Sequence, residues 1–185
     1  ALLALAAAAI RLVLALRAAQ NAAEAYRLSL TDDLTGLPNR RALVARLDAA
    51  LTGQEAFGLM LIDLNGFKEV NDTLGHAAGD AILTIVAGRL QQTAAPNALV
   101  ARLGGDEFAL IHPDGTSEDL LERAHELRTV IRRPAVVDGI ELCLDSSIGV
   151  SVSSGDLADS GDLLRQADVA MYQAKSEHLG CVLYD

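Results

Sequence analysis

The sequence contains no tryptophan, and aromatic residues make up only 3% of its 185 positions. A core without large rings must be packed from Leu, Val, Ile and Ala, within a hydrophobic fraction of 51%. Basic residues are also few: 15 Lys and Arg stand against 25 Asp and Glu, for a net charge of −10. That balance argues against a nucleic-acid binder, which presents a basic face. An acidic protein can still hold a nucleoside triphosphate where divalent cations mediate. The two cysteines, Cys143 and Cys181, are too few for a disulfide framework and lack zinc-ligand spacing. Both lie in apolar stretches and read as buried thiols, which fits a reducing cytoplasm. The length suits one globular domain with an appendage.

The appendage is the N-terminal segment. No charge precedes Arg11, and Leu2, Leu5, Ala9, Leu12, Leu16, Ala19, Ala23, Tyr26 and Leu30 recur at alternating steps of three and four. That is the heptad seam of a coiled coil. Three Arg and one Glu give the segment +2 and leave −12 for the remainder. One reading is a parallel dimer stalk between a sensor and an output domain. Another is the cytoplasmic end of a transmembrane helix, with Arg11, Arg17 and Arg27 on the inner side. A third is an amphipathic helix packed on its own domain. The apolar run is too short to span a bilayer alone, and it lacks the basic start and cleavage site of a signal peptide. The chain opens without Met and reads as a piece of a larger protein, with a stalk over 1–30 and a domain over 31–185. A cytoplasmic domain of a membrane-associated protein is the expectation.

Past Leu30 the polar loop TDDLTGLPNR leads to a helix over Arg40 to Leu51, with Asn39 as its cap. Phe57 to Ile62 is a buried strand ending at Asp63. Helices are expected at Phe67 to Leu74, broken at Gly75, and at Ala77 to Gln92. Leu99 to Leu103 and Phe108 to Ile111 flank GGDE as a hairpin. Ser117 to Arg132 is helical, capped by Thr116 or Ser117. Strands near Ala135 to Val137 and Leu142 to Val152, a helix over Asp162 to Ser176 and an edge strand at Val182 to Tyr184 complete the chain. This order predicts an α/β sandwich with a mixed sheet, of the ferredoxin-like kind.

Asp63 stands at the tip of an apolar strand, and Asp106 and Glu107 stand at a hairpin turn. If that hairpin pairs beside the first strand, Asp63 and Asp106 converge. Converging carboxylates repel, and a hard cation such as Mg²⁺ resolves the conflict where phosphates complete its shell. An ordinary acidic turn fits GGDE equally well on its own. Downstream of Asp63, the amides from Gly66 to Lys68 open a helix and form an anion site, to which Lys68 adds charge. Asn71 and Asp80 are suited to reading a nucleobase edge, because a carboxylate accepts from the ring N–H and exocyclic amine of guanine. Asp63-x-Asn65 begins like a calcium loop, but Phe67 stands where the next oxygen ligand belongs. His76 reads as a structural residue, with no second ligand at metal spacing. Asp168 and Lys175, seven apart, share one helical face.

Taken together, DDLTGLPNRR, DLNGFKEVNDTLGHAAGD, ARLGGDEFAL, SSIGVSV and ADVAMYQAK stand in the order and spacing of GGDEF-domain diguanylate cyclases. The chain resembles that family from about Leu30 to Asp185. The resemblance implies a nucleotidyl-cyclase-like palm and condensation of two GTP into cyclic di-GMP. It implies that Asp63, Asp106 and the Leu64 carbonyl hold two Mg²⁺ or Mn²⁺ ions and that Glu107 completes the signature turn. Asn71 and Asp80 would read guanine, with Leu34 and Leu83 lining the base pocket. The backbone of Gly66, Phe67 and Lys68, with the Lys68 and Lys175 side chains, would cradle the triphosphate, and Arg102 would lie near the phosphates or a dimer contact. Each domain would bind one GTP, so the implied partner is a second copy, joined through the N-terminal helix.

Two departures from the family pattern stand out. The inhibitory RxxD site is replaced by Ala95-Pro96-Asn97-Ala98, and Leu179 stands where an Arg is expected after Lys175. This form resembles GGDEF domains that precede an EAL phosphodiesterase domain. An active cyclase and a non-enzymatic GTP-sensing module therefore both remain open. A cyclic di-GMP receptor through RxxD and an adenylyl cyclase are disfavoured.

Overall fold

The computed structural model describes residues 11–14, 16, 17, 20, 30–54, 56–113, 116–153 and 159–185. It divides into two units, one ending at Thr31 and one spanning Asp32–Asp185. In the first, the described residues from Arg11 to Gln20 are helical, with Leu12 and Leu16 of the heptad series exposed. The seam positions Leu2, Leu5, Ala9, Ala19, Ala23 and Tyr26 lie outside the described residues. No described helix is long and apolar enough to cross a membrane.

The second unit runs α1 (Arg40–Thr52), β1 (Phe57–Asn65), α2 (Phe67–Leu74), α3 (His76–Thr93), β2 (Leu99–Gly104), β3 (Glu107–Pro113), α4 (Ser117–Ile131), β4 (Ala135–Val137), β5 (Ile140–Leu142), β6 (Asp145–Val152), α5 (Ser160–Ser176) and β7 (Cys181–Leu183). Local chemistry sets the helix starts. Asn39 accepts from the Arg41 and Ala42 amides ahead of α1, Thr116 and Asp119 close a capping box on α4, and Asp159 caps α5. Arg89 of α3 forks onto the Ile131, Arg133 and Pro134 carbonyls, satisfying acceptors left free where α4 ends.

Five strands form a mixed sheet in the order β2-β3-β1-β6-β7, antiparallel except for the β6–β7 pair. The apolar run of β1 is central because both its faces are covered. Leu59 and Leu61 pack with Leu43 and Leu47 of α1 and Leu163, Ala167 and Met171 of α5. Met60, Ile62 and Leu64 join Ile82, Val86 and Leu90 of α3 and Leu120, Ala124 and Leu127 of α4. The sheet is thus sandwiched between α1 with α5 and α3 with α4.

Leu142, expected to open the strand that runs to Val152, instead closes a short separate one. Asp138 and Gly139, both at positive φ, turn a separate β4–β5 hairpin, and β6 starts only at Asp145. An Asp-Gly pair is the strongest short hairpin signal, so the sequence carried it. Cys143 falls in the resulting link and is exposed, which corrects its reading as a buried thiol; Cys181 is buried, and burial pushes its thiol up to about 11.

The motif SSIGVSV alternates by face. Ile148 and Val150 enter the α3/α4 core, while Ser147, Gly149 and Ser151 lie on the other face of β6. A Cβ at Gly149 would collide with the Ala167 carbonyl and the Met171 backbone, so α5 packs backbone to backbone on β6. Ser151 Oγ donates to the Leu163 carbonyl at 3.0 Å along the same contact. A second close approach lies at Gly180, where a Cβ would strike the Arg128 guanidinium. Arg128 in turn makes a paired bridge to Asp145 at 2.8 and 2.7 Å.

Gly149→Ala is expected to lower stability by about 1–3 kcal/mol, because the obstructing atoms are backbone and cannot rotate aside. Urea unfolding checks this, and an unchanged midpoint would contradict the packing account.

Candidate active site

Asp63 lies near the end of the central strand, between Glu107 across β3 and Ser147 across β6. Its side chain is 13% exposed, and its Oδ1 accepts from Lys175 Nζ at 2.6 Å. Lys175 arrives on the last turn of α5, held over the sheet by the Gly149 contact. The hairpin does pair beside β1, but the register sets Glu107 directly opposite Asp63. Asp106 sits in the turn itself, half-buried, and its carbonyl accepts from the Leu64 amide at 3.3 Å.

Conformation rather than protein crowding requires the two glycines of this turn. Gly104 and Gly105 have φ of 141° and 53°, with no protein atom within 4 Å of a would-be Cβ. Arg102 then fixes the turn. Its Nε and one terminal nitrogen donate to the Gly105 carbonyl at 3.1 and 2.8 Å, and the other donates to both oxygens of Asp32 at 3.0 and 3.1 Å. The guanidinium expected near the phosphates or a dimer contact is bonded here to protein acceptors. Asp32 also accepts from the Thr35 amide and hydroxyl, and the Arg102 amide donates to the Pro38 carbonyl. Burial alone would raise the Asp32 carboxyl, but the Thr35 bonds and Arg102 hold it below its ordinary value. This loop-to-turn clamp escaped the sequence reading, because its partners are seventy positions apart.

On the other flank of Asp63, Gly66 at φ 79° starts α2 with no side-chain cap, which leaves the first amides of that helix open. Lys68 is exposed there. Gly75 at φ 85° breaks the chain between α2 and α3. A Cβ at Gly79 would collide with Asn71 Oδ1, so the Asn71 amide nests beside α3 next to the exposed Asp80. Phe67 and Leu83 are 8% and 2% exposed within the core beneath this pair, and Leu34 is 36% exposed.

Two clefts adjoin the carboxylates on the α5 side. One, of about 340 Å³, is lined by Asp63, Asp168, Val169, Met171, Tyr172 and Lys175. The other, of about 310 Å³, sets Arg40, Arg165, Glu107 and Asp168 over an apolar floor that includes Leu61, Phe108 and Met171. Arg40, Arg165 and Tyr172 were not singled out in the sequence. Leu179, at the expected Arg position, is 50% exposed just past His178. Residues 95, 96 and 98 border a separate cleft whose lining carries no charged side chain.

The donors fit a divalent ion bound together with a nucleotide. Among the described residues no three His, Cys, Asp or Glu side chains gather as a closed metal cage. Magnesium is commonly held by one or two carboxylates with phosphates completing its shell, and here a lysine ammonium already stands as a cation against Asp63.

Residues 29–180 match the family described as diguanylate cyclase, GGDEF domain. The chain belongs to that family. It is 36% identical over 170 residues to the response regulator PleD of Caulobacter vibrioides, covering 88% of this chain and 37% of PleD. It is 37% identical over 169 residues to MucR of Pseudomonas aeruginosa, a bifunctional diguanylate cyclase/cyclic di-GMP phosphodiesterase, covering 89% of this chain and 25% of MucR. The chain thus spans well under half of these relatives. Among solved structures, the GGDEF domain of YfiN from Pseudomonas aeruginosa superposes with a TM-score of 0.78 at 37% identity, covering 84% of this chain and 94% of that one. The coiled coil and GGDEF domain of DgcB from Caulobacter crescentus, in complex with c-di-GMP, gives 0.85 at 27% identity, covering 96% and 97%.

Asp32→Asn is expected to cost about 1 kcal/mol at neutral pH. The Asp32 carboxyl titrates lower in the folded than in the unfolded chain, so its contribution is full above the ordinary carboxylate range. It fades as pH falls through the lowered folded value, and the two proteins should converge there. Urea midpoints between pH 2 and 7 check this; a difference that stays constant down to pH 2 would refute the clamp's charged character.

Proposed function

We propose that this domain is an active diguanylate cyclase that condenses two GTP molecules, one on each of two facing copies. The observation that carries this reading is Asp63, set at the tip of the central strand between Glu107 and Lys175 and beside the open amides of α2. Asp63, Asp106 and the Leu64 carbonyl would hold two Mg²⁺ or Mn²⁺ ions, which would supply activation of the attacking 3′-hydroxyl and charge neutralisation for the leaving pyrophosphate. The α2 amides and Lys68 receive the phosphates, and Asn71 with Asp80 orients guanine. The 3′-oxygen of one GTP bonds to the α-phosphorus of the other as the α–β bridge breaks and pyrophosphate departs. A second, reciprocal transfer closes the ring. Two copies must present their sites face to face, and the exposed heptad residues Leu12 and Leu16 support an N-terminal helical pairing as the means. We place the domain within a longer signalling protein, with a sensor or membrane segment before it and an EAL domain as a candidate after it.

A second reading rests on Leu179. With an exposed leucine where the family pattern expects Arg, one phosphate contact is missing, which favours a GTP-binding regulator of an attached domain.

Incubation of the protein with GTP and Mg²⁺ separates the two. The cyclase reading expects cyclic di-GMP and pyrophosphate, and it expects Asp63→Ala to cut turnover by about 100-fold or more. GTP bound in a metal-dependent way but never converted would favour the regulator.

Guanine selection is expected to rest on Asp80. Replacing Asp80 with Ala should shrink the preference for GTP over ATP by about tenfold or more, since a site built to pair a base edge penalises the wrong edge. Competition binding with both nucleotides measures it, and an unchanged ratio would end the assignment.

A further inference from the structure

We propose that Lys175 occupies the cation position at Asp63 while the site holds no nucleotide, so that a divalent ion binds there weakly until a triphosphate draws the lysine away. The inference deepens the reading above by giving its metal site a binding order. The Asp63 backbone is held beneath the lysine. It is paired on both sides within the sheet, and its side chain is 13% exposed. The ammonium lies 2.6 Å from Oδ1, so a second cation approaching that oxygen competes with a like charge already bonded to it. Lys175 is 53% exposed, and its stem is free to swing, although its helix is fixed.

The device answers a problem set by composition. A chain with net charge −10 concentrates divalent cations around itself. An open carboxylate site would fill with bare metal, whereas a plugged one discriminates. Metal arriving alone must break the Asp63–Lys175 pair with nothing offered to the lysine. Metal arriving with a nucleotide brings phosphates that take the ammonium over. By reciprocity, the factor by which nucleotide raises metal affinity equals the factor by which metal raises nucleotide affinity. Lys175 supplies part of that coupling and thereby selects the metal–nucleotide complex over free metal.

The test reads metal binding rather than turnover. Mn²⁺ alone is titrated into the nucleotide-free protein, and free Mn²⁺ is followed by electron paramagnetic resonance. Lys175→Gln should bind Mn²⁺ about fivefold tighter than the unaltered protein, in proportion to a partly exposed ion pair. Lys175→Arg, which keeps a cation there, should stay close to the unaltered protein. Arg133, exposed beside a separate cleft with Thr93 and His125, serves as the control for net charge in the variant Arg133→Gln. Repeating the titration with a non-hydrolysable GTP analogue should show a smaller nucleotide-induced gain in Lys175→Gln than in the unaltered protein. Equal Mn²⁺ affinity of Lys175→Gln and the unaltered protein without nucleotide would overturn the proposal, as would equal tightening by Arg133→Gln. No Mn²⁺ binding by any variant, with or without the analogue, would remove the metal-site reading and the proposal together. Absence of cyclic di-GMP synthesis alone would defeat the cyclase reading while leaving the binding order intact.

Discussion

The backbone contact between α5 and β6 sets the geometry on which the site depends. Ser147, Gly149 and Ser151 strip one face of β6 to small side chains, and a single methyl at Gly149 would meet the backbone of Ala167 and Met171. Because β6 is the immediate neighbour of β1, a helix seated that low carries its last turn over Asp63. A helix raised by ordinary side chains would leave Lys175 short of that carboxylate. The 2.6 Å ion pair is thus a product of packing in the middle of the sheet, well away from either charged group.

The opposite flank is held by polar bonds. Arg102 spends its guanidinium on Asp32 and the Gly105 carbonyl, and its amide on Pro38. One residue thereby ties the DDLTG loop to the GGDE turn, while the Leu64 amide holds the Asp106 carbonyl from β1. The turn needs such restraint because its glycines adopt backbone angles that add freedom to the unfolded chain. Its acidic side chains are left free of these duties.

Much of this was legible from residue order. The continuous apolar run of β1, the Asn39 cap and the Gly75 break each follow from local rules, and the observed elements follow them. The mixed sheet followed from the alternation of strands, hairpin and helices. What escaped was non-local or overruled by a stronger local signal. The Arg102–Asp32 pair joins residues whose meeting depends on how a loop lies across an edge strand. Asp138-Gly139 turns a hairpin that takes Leu142 into β5 rather than the long strand expected, and Cys143 falls exposed in the link to β6. Register could not be read either. A hairpin beside β1 was foreseeable, but that Glu107 rather than Asp106 would stand across from Asp63 was not.

The Arg128–Asp145 bridge beneath Gly180 bears on how such a chain can change over generations. The guanidinium fills the space a side chain at 180 would occupy, so the arginine keeps this place only beside a glycine, which the backbone angle of 83° at that position favours on its own account. Asp145 supplies the charge that makes a half-buried guanidinium acceptable. Three separate segments, α4, β6 and the link before β7, thus meet at one guanidinium. A replacement at Asp145 strands the guanidinium without its partner and one at 180 displaces it, so a change at either position bears on what Arg128 can be.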